Sequence, residues 1–271
     1  MDVAGLVCNN SIIINNLIHE NNDMKYLVVI PYLASAAQGK ELDLAIAGWR
    51  KHFKEDYLIV LTGDGLPKFD ANDIVCIESK RVADVPNQYR QHLDYVSCLK
   101  KVHKAFPESE GFVMVADDCY AVRDFTMKDV KPMKFIHGGI DYDPKSPNAW
   151  RRDAMKTKYL LKSLGLPDRN FTTHIPIWFE WDKVEELWEK FDMEHESYVI
   201  EDLYFNYFYP VAGAIELNED SDNIKCGVYT TRPNPERLLD AFSKKIWINN
   251  SPDGWQPCLV NLLEMHYGIK K

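Results

Sequence analysis

The sequence predicts an α/β protein with a mixed, mostly parallel central sheet flanked by helices. Continuous apolar runs of strand length recur at "YLVVIPYLA" (26–34), "YLIVLTGDG" (57–65), "DIVCIES" (73–79) and "FVMVADDCYAV" (112–122), as strands covered on both faces do. Amphipathic helical stretches lie between them, and the order strand, helix, strand, strand, helix, strand is that of a parallel sheet.

Each element follows from its own residues. After the first strand, "ELDLAIAGWRKHF" places Leu42, Ala45, Ile46, Trp49 and Phe53 at helical spacing. The second strand ends in a Gly-Asp-Gly turn. "VPNQYRQHLDYVSCLKKVHKAF" forms a long helix with Tyr89, His92, Leu93, Tyr95, Val96, Leu99 and Phe106 on one arc; His92 and His103 on that arc read as core histidines with one hydrogen bond each. The next strand, 112–122, stops in the adjacent acids Asp117 and Asp118. Further on, "KFIHGGIDYDPKSPNAW" holds a short strand and a loop, and Asn148 caps a helix that Gly165 terminates. "DKVEELWEKF" opens on an Asp182–Glu185 capping box. "NPERLLDAF" and "WQPCLVNLLEMHYG" carry Pro in the first helical turn, with "KKIWIN" as a strand between them.

With 271 residues, 46% hydrophobic and 12% aromatic, the chain buries a sizeable core. No repeat or low-complexity tract interrupts it. An Asn-rich N-terminal extension, 1–24, precedes a single domain, 25–271. The net charge of −9 and pI near 5.4 oppose a broad grip on nucleic acid or an anionic membrane. Any anionic ligand therefore needs a local cation. Six cysteines with no CxxC pair read as reduced thiols of an intracellular, cytoplasmic protein. The longest apolar stretches fall far short of a membrane span, and the first 23 residues lack the basic and apolar regions of a signal peptide.

Asp117 and Asp118 end a strand at the side of an α/β sheet where such folds bind ligands. Either they cap a solvent-facing turn, or they hold Mg²⁺ or Mn²⁺ against a phosphate-bearing ligand. On an extended chain only one of the two aims at the ligand. In "YVIEDLYFNYFYP", Glu201 and Asp202 fall in a helix first turn, where acids suit the dipole or serve as a general base. His174 in "THIPIWF" is a metal ligand or a ligand contact. Asp141 and Asp143 in "GGIDYDP" make a turn or touch a hydroxylated ligand. No GxGxxG or GxxxxGK[ST] phosphate loop occurs.

The strand leading into "ADDCY", preceded by "HLDYVSCLKKV", resembles the metal-site region of glycosyltransferases with the GT-A fold, although Ala116 stands where the three-acid form of that motif has its first acid. Within that class, "ELDLAIAGWRKHF", "HLDYVSCLKKVHKAF", "THIPIWFEWDKVEELWEKF" with "IEDLYFNYFYP", and "KKIWINN" are similar to fragments of the Stealth family of sugar-phosphate transferases, over roughly Lys25 to Asn250. The opening Trp-and-Asp signature of that family is absent.

The GT-A resemblance implies a nucleotide-diphospho-sugar transferase with a donor-nucleotide half, 25–125, and an acceptor half, 126–271. It implies a Mn²⁺ or Mg²⁺ cofactor on Asp118 and Asp117, with His266 or Asp253 completing the shell. Donor contacts fall on Ser35, Gln38, Lys40, Asp64, Asn87 and Arg90, the donor being a UDP-sugar before other nucleotide sugars. Asp202 is the first choice for the base and Glu201 the second. Asp141, Asp143, His174 and Trp178 face a hydroxyl acceptor, a glycan, in glycan or surface polysaccharide synthesis. Two other readings keep the scaffold: hexose-1-phosphate transfer, as in the Stealth family, and a carbohydrate- or nucleotide-binding module without turnover, which Ala116 favours.

Overall fold

The structure, a computed structural model, describes residues 26–82 and 91–269. Its central sheet is built from β1 (Tyr26–Leu33), β2 (Tyr57–Asp64), β3 (Ile74–Glu78), β4 (Gly111–Met114) and β7 (Ile177–Glu180), in the order β3-β2-β1-β4-β7. The first four run parallel and β7 is antiparallel to β4. Helix α1 (Glu41–His52) follows β1, and α2 (Gln91–Ala105) leads into β4. The fold class expected from the sequence, a mixed α/β architecture with a mainly parallel sheet between helices, is the one observed.

The continuous apolar strands are explained by burial on both faces. Leu27 and Val29 of β1, Leu58 and Val60 of β2, and Phe112 and Met114 of β4 enter one core, together with Val96, Leu99 and Val102 of α2. The alternate residues Val28, Ile30, Ile59, Leu61 and Val113 enter a second core with Leu42, Ile46 and Trp49 of α1. A period of two sorts the side chains, and apolar residues at both phases make each run unbroken.

The rest of the described chain packs around this sheet. It contains β5 (Cys119–Ala121), α3 (Met127–Val130), β6 (Lys134–Ile136), α4 (Ala149–Ser163), α5 (Trp181–Lys190) and α6 (Ile200–Phe208). Then come β8 (Ile215–Leu217), β9 (Lys225–Val228), α7 (Pro235–Lys244), β10 (Trp247–Asn250) and α8 (Pro257–Tyr267). Strands β5, β10 and β9 form a second sheet, and β6 and β8 pair separately. Asn148 caps α4 by accepting from Arg151 N, and Gly165 follows its end at φ 70°.

Two local expectations are corrected. The run 112–122 is two strands in different sheets, because the turn at Asp117–Asp118 carries the chain from β4 to β5. Helix α5 begins at Trp181 with Glu180 at its N-cap and no side-chain cap, so Asp182 and Glu185 form no capping box. The box lies instead at Thr126 and Asp129 of α3.

Among the described residues no helix is long and apolar enough to cross a membrane, and Cys76, Cys98, Cys119, Cys226 and Cys258 are free thiols. The extension 1–24 lies outside the described residues.

Candidate active site

Strand order places a crevice at one end of the sheet. From β1 the chain steps to β2 and β3 on one side, then returns through α2 to β4 on the other. Connections leave β1 and β4 in opposite directions at their carboxyl ends, the topological switch point where open α/β sheets take ligands. The last rung between these strands is Val115 N donating to Val29 O at 3.1 Å. The acid doublet follows two residues later.

The doublet is a turn held between two sheets. Cys119 N donates to Ala116 O at 3.3 Å, and Asn250 N, at the end of β10, donates to Asp118 O at 3.3 Å. Both Asp117 and Asp118 face the crevice. The expectation that only one would do so assumed an extended backbone, and a turn removes that alternation. Burial pushes the Asp118 carboxyl up to about 7, with Asp117 and then Glu41 adding repulsion and Lys225 opposing it. Burial and then Glu41 hold Asp117 at about 6. Among the described residues the buried Asp118 Oδ1 atom has no hydrogen-bond partner.

Behind the turn, Glu41 and Asn250 form a polar layer. Asn250 Nδ2 donates to Glu41 Oε1 at 2.7 Å, Gln38 N to Glu41 Oε2 at 3.1 Å, and Tyr120 Oη to Asn250 Oδ1 at 2.7 Å. The Glu41 carboxyl is raised by burial and lowered in part by these two donors. A buried acid in the first turn of α1 adds negative potential beneath the doublet.

Two cavities open on either side of Asp117 and Asp118. The first, about 170 Å³, lies over the ends of β1, β2 and β3 and includes Gln38, Asp64, Ser79, Arg81 and Asp94. Its floor depends on Gly63, whose φ is 148° and at which a Cβ would stand 1.8 Å from Tyr32 O. The second, about 190 Å³, includes His92, Tyr95, Trp150, His174 and Glu201. Six acids, Asp117, Asp118, Glu41, Asp64, Asp94 and Glu201, thus border the two cavities, and Arg81 is already 3.4 Å from Asp94. Such a wall favours cations and repels a diphosphate unless a cation is bound.

The two acids on α6 have different settings. Glu201 borders the second cavity, its buried Oε2 has no partner among the described residues, and burial pushes its carboxyl up to about 7. Asp202, one residue on around the helix, is 1% exposed, and its Oδ1 accepts from Phe171 N at 2.6 Å. Burial holds Asp202 well above the usual carboxylate range. It anchors the chain ahead of β7 and borders neither cavity.

Of the other expected residues, Gln38 and Asp64 border the first cavity and His174 the second. His174 is exposed and has φ 52°, outside the ordinary range of a non-glycine residue. Several candidates lie elsewhere. His266, on α8, stacks on His52 with ring nitrogens 2.8 Å apart, because its helix packs on α1 and borders neither cavity. Trp178 points to the opposite face of β7 from cavity-lining Ile177, against the edge of Tyr26 and under Lys131. Lys40 is engaged by Glu264 at 2.9 Å, and Ser35 is exposed in the turn after β1, outside the cavity wall. Asp141 is exposed, 3.5 Å from Lys158 Nζ, and Asp143 accepts from Lys145 N at 2.8 Å as a turn former; Trp150, in the first turn of the helix that follows, borders the second cavity instead. Asn87 and Arg90 lie outside the described residues.

Among the described residues no three His, Cys, Asp or Glu side chains gather as a metal cage. The doublet therefore fits only an ion that completes its shell with ligand oxygens and water, the habit of Mg²⁺ and Mn²⁺ with phosphates. The partnerless Asp118 Oδ1 within a group of mutually repelling acids matches that requirement.

No family model and no curated protein matches the chain. Solved structures do. One is described as the apo structure of the bifunctional glycosyltransferase WbbM, at TM-score 0.43 and 13% identity, covering 84% of this chain and 46% of the other. This chain thus spans about half the length of that protein. Another is a glycosyltransferase involved in the glycosylation of the major capsid of PBCV-1, at TM-score 0.41 and 9% identity, covering 91% of this chain and 100% of the other.

Proposed function

We propose that this chain is a metal-dependent glycosyltransferase of GT-A type, moving a sugar from a nucleotide-diphosphate sugar to a hydroxyl acceptor. The observation that carries the reading is the partnerless, buried Asp118 Oδ1 in an acid pair at the sheet's switch point, between two cavities. The first cavity takes the nucleotide, with Gln38 and Asp64 in reach of base or ribose. The second takes the acceptor, and the anomeric carbon lies between them beside the doublet.

Asp118 and Asp117 would hold Mn²⁺ or Mg²⁺, which when bound neutralises the pyrophosphate and the charge that gathers on it as it departs. Glu201 is the general base. A carboxyl with a pKa near 7 is partly ionised at neutral pH and still basic enough to accept a proton from an acceptor hydroxyl. As that oxygen bonds to the anomeric carbon, the bond from that carbon to the phosphate oxygen breaks, and its electron pair leaves with the nucleoside diphosphate. His174 and Trp150 border the acceptor side. A UDP-sugar donor and a glycan acceptor in surface polysaccharide synthesis are the finer form of this reading.

The test is product analysis with UDP-, GDP-, CDP- and dTDP-sugars, Mn²⁺ and a panel of glycan acceptors. Release of nucleoside diphosphate, lost in Asp118→Asn and retained in Asp143→Ala, supports the reading. Release of nucleoside monophosphate would assign hexose-1-phosphate transfer instead. Tight nucleotide binding without release of either would make the chain a binding module.

A further inference from the structure

His92 differs from the core histidine its helical position suggests. It is the second residue of α2 as described, is 2% exposed, and has no hydrogen-bond partner on either ring nitrogen among the described residues. It also borders the second cavity. Tyr95, one turn on, meets its ring edge to face at 5.6 Å and helps fix its plane. Buried polar atoms without partners are uncommon, because the lost water must be replaced. Among the described residues none supplies that replacement, and the cavity that His92 borders is open to an occupant that could.

The chemistry of the ring narrows that occupant. Burial drives the His92 imidazolium pKa down to about 3, so the ring is neutral at physiological pH and offers one N–H donor and one acceptor nitrogen. A hydroxyl group is complementary, since it both donates and accepts. A carboxylate or phosphate would satisfy only the N–H, in a wall that already carries Asp117, Asp118 and Glu201. The remaining lining, including Trp150, Tyr95, Ile175 and Ile177, suits the apolar C–H faces of a pyranose.

We infer that His92 is a specificity-determining residue of the second cavity, pairing through its ring nitrogens with a hydroxyl of a bound pyranose. The inference rests on the proposed transferase reading only for the sugar's role. The sugar belongs either to the acceptor or to the donor.

The test is histidine-labelled NMR on the full chain, with the His92 resonance assigned from His92→Gln. Glucose, galactose, mannose, N-acetylglucosamine, fucose, rhamnose and xylose are titrated as free methyl glycosides, and UDP is compared with UDP-sugars in the presence of Mn²⁺. At least one sugar is expected to shift the His92 signals saturably. Its epimer or deoxy analogue at the contacted hydroxyl should bind at least tenfold more weakly. His92→Phe should lose that discrimination, and His92→Gln, which keeps a donor and an acceptor, should recover part of it. Mn²⁺-dependent UDP affinity and the melting temperature report whether either variant folds. A shift from methyl glycosides assigns the acceptor, and one from UDP-sugars but not UDP assigns the donor. If no sugar moves His92, or if both variants discriminate as the wild type does, the inference is wrong. A sugar that moves His92 in a chain without transfer activity would uphold it and overturn the transferase reading. Turnover with substrates that leave His92 unmoved would do the reverse.

Discussion

Glu41 and Asn250, 209 positions apart in sequence, meet in a 2.7 Å hydrogen bond directly behind the acid doublet. Asn250 also accepts from Tyr120 Oη and, through its backbone N–H, holds Asp118 O. Replacing Asn250 with Ala leaves Glu41 and Tyr120 buried with groups unpaired, at a cost of about 1–3 kcal/mol. Urea unfolding is expected to show that loss, and Mn²⁺ affinity should fall because the side-chain layer beneath the doublet is disrupted, although the backbone bond from Asn250 N to Asp118 O is kept.

The raised Asp118 pKa has a definite sign. Its carboxyl holds a proton in the fold up to about pH 7, whereas in the unfolded chain it ionises near 4. Between those values the folded state binds more protons, so this group's contribution to stability is lost as pH rises through the window. In metal-free protein Asp118→Asn should therefore melt a few degrees higher than wild type at pH 8 and at nearly the same temperature near pH 4. With Mn²⁺ present at pH 8 the ranking should reverse. Thermal melts of both proteins across pH, with chelator or Mn²⁺, measure this.

The neighbouring acids of α6 should separate cleanly. Glu201→Gln is expected to cut turnover about 10²–10⁴-fold with little change in melting temperature. Asp202→Ala should act through the fold, because Phe171 N loses its acceptor, at about 1–3 kcal/mol. Steady-state kinetics and calorimetry of the two variants distinguish them.

Gly63 is required by backbone geometry. At φ 148°, with a would-be Cβ at 1.8 Å from Tyr32 O, Gly63→Ala should cost at least about 1–3 kcal/mol in backbone strain and spread β1 from β2 beneath the first cavity. Nucleotide affinity should fall more than affinity for a free sugar.

Much of the fold was legible because its signals are local. The buried strands announced themselves as continuous apolar runs, α1 and α2 by their spacing, and the doublet by two charges interrupting such a run. Three things were not legible. The split of 112–122 into β4 and β5 depends on pairing with β10, more than a hundred residues away. The roles of Glu41 and Asn250 depend on the same long-range contact, although two Asn ending the strand "KKIWINN" were a usable signal. The different settings of Glu201 and Asp202 depend on helix phase relative to the segment at Phe171, which no local signal in the sequence encodes. His266 and Trp178 follow from the GT-A resemblance alone, and packing on α1 and the alternation of β7 carry them away from the crevice.

The most direct measurement is electron paramagnetic resonance of Mn²⁺ titrated with the protein at pH 8, with and without UDP. The six-line signal of free Mn²⁺ should fall as wild-type protein is added, fall further with UDP, and remain at full height with Asp118→Asn. Equal loss of signal with wild type and Asp118→Asn, or no loss with either, would contradict a metal site at the doublet.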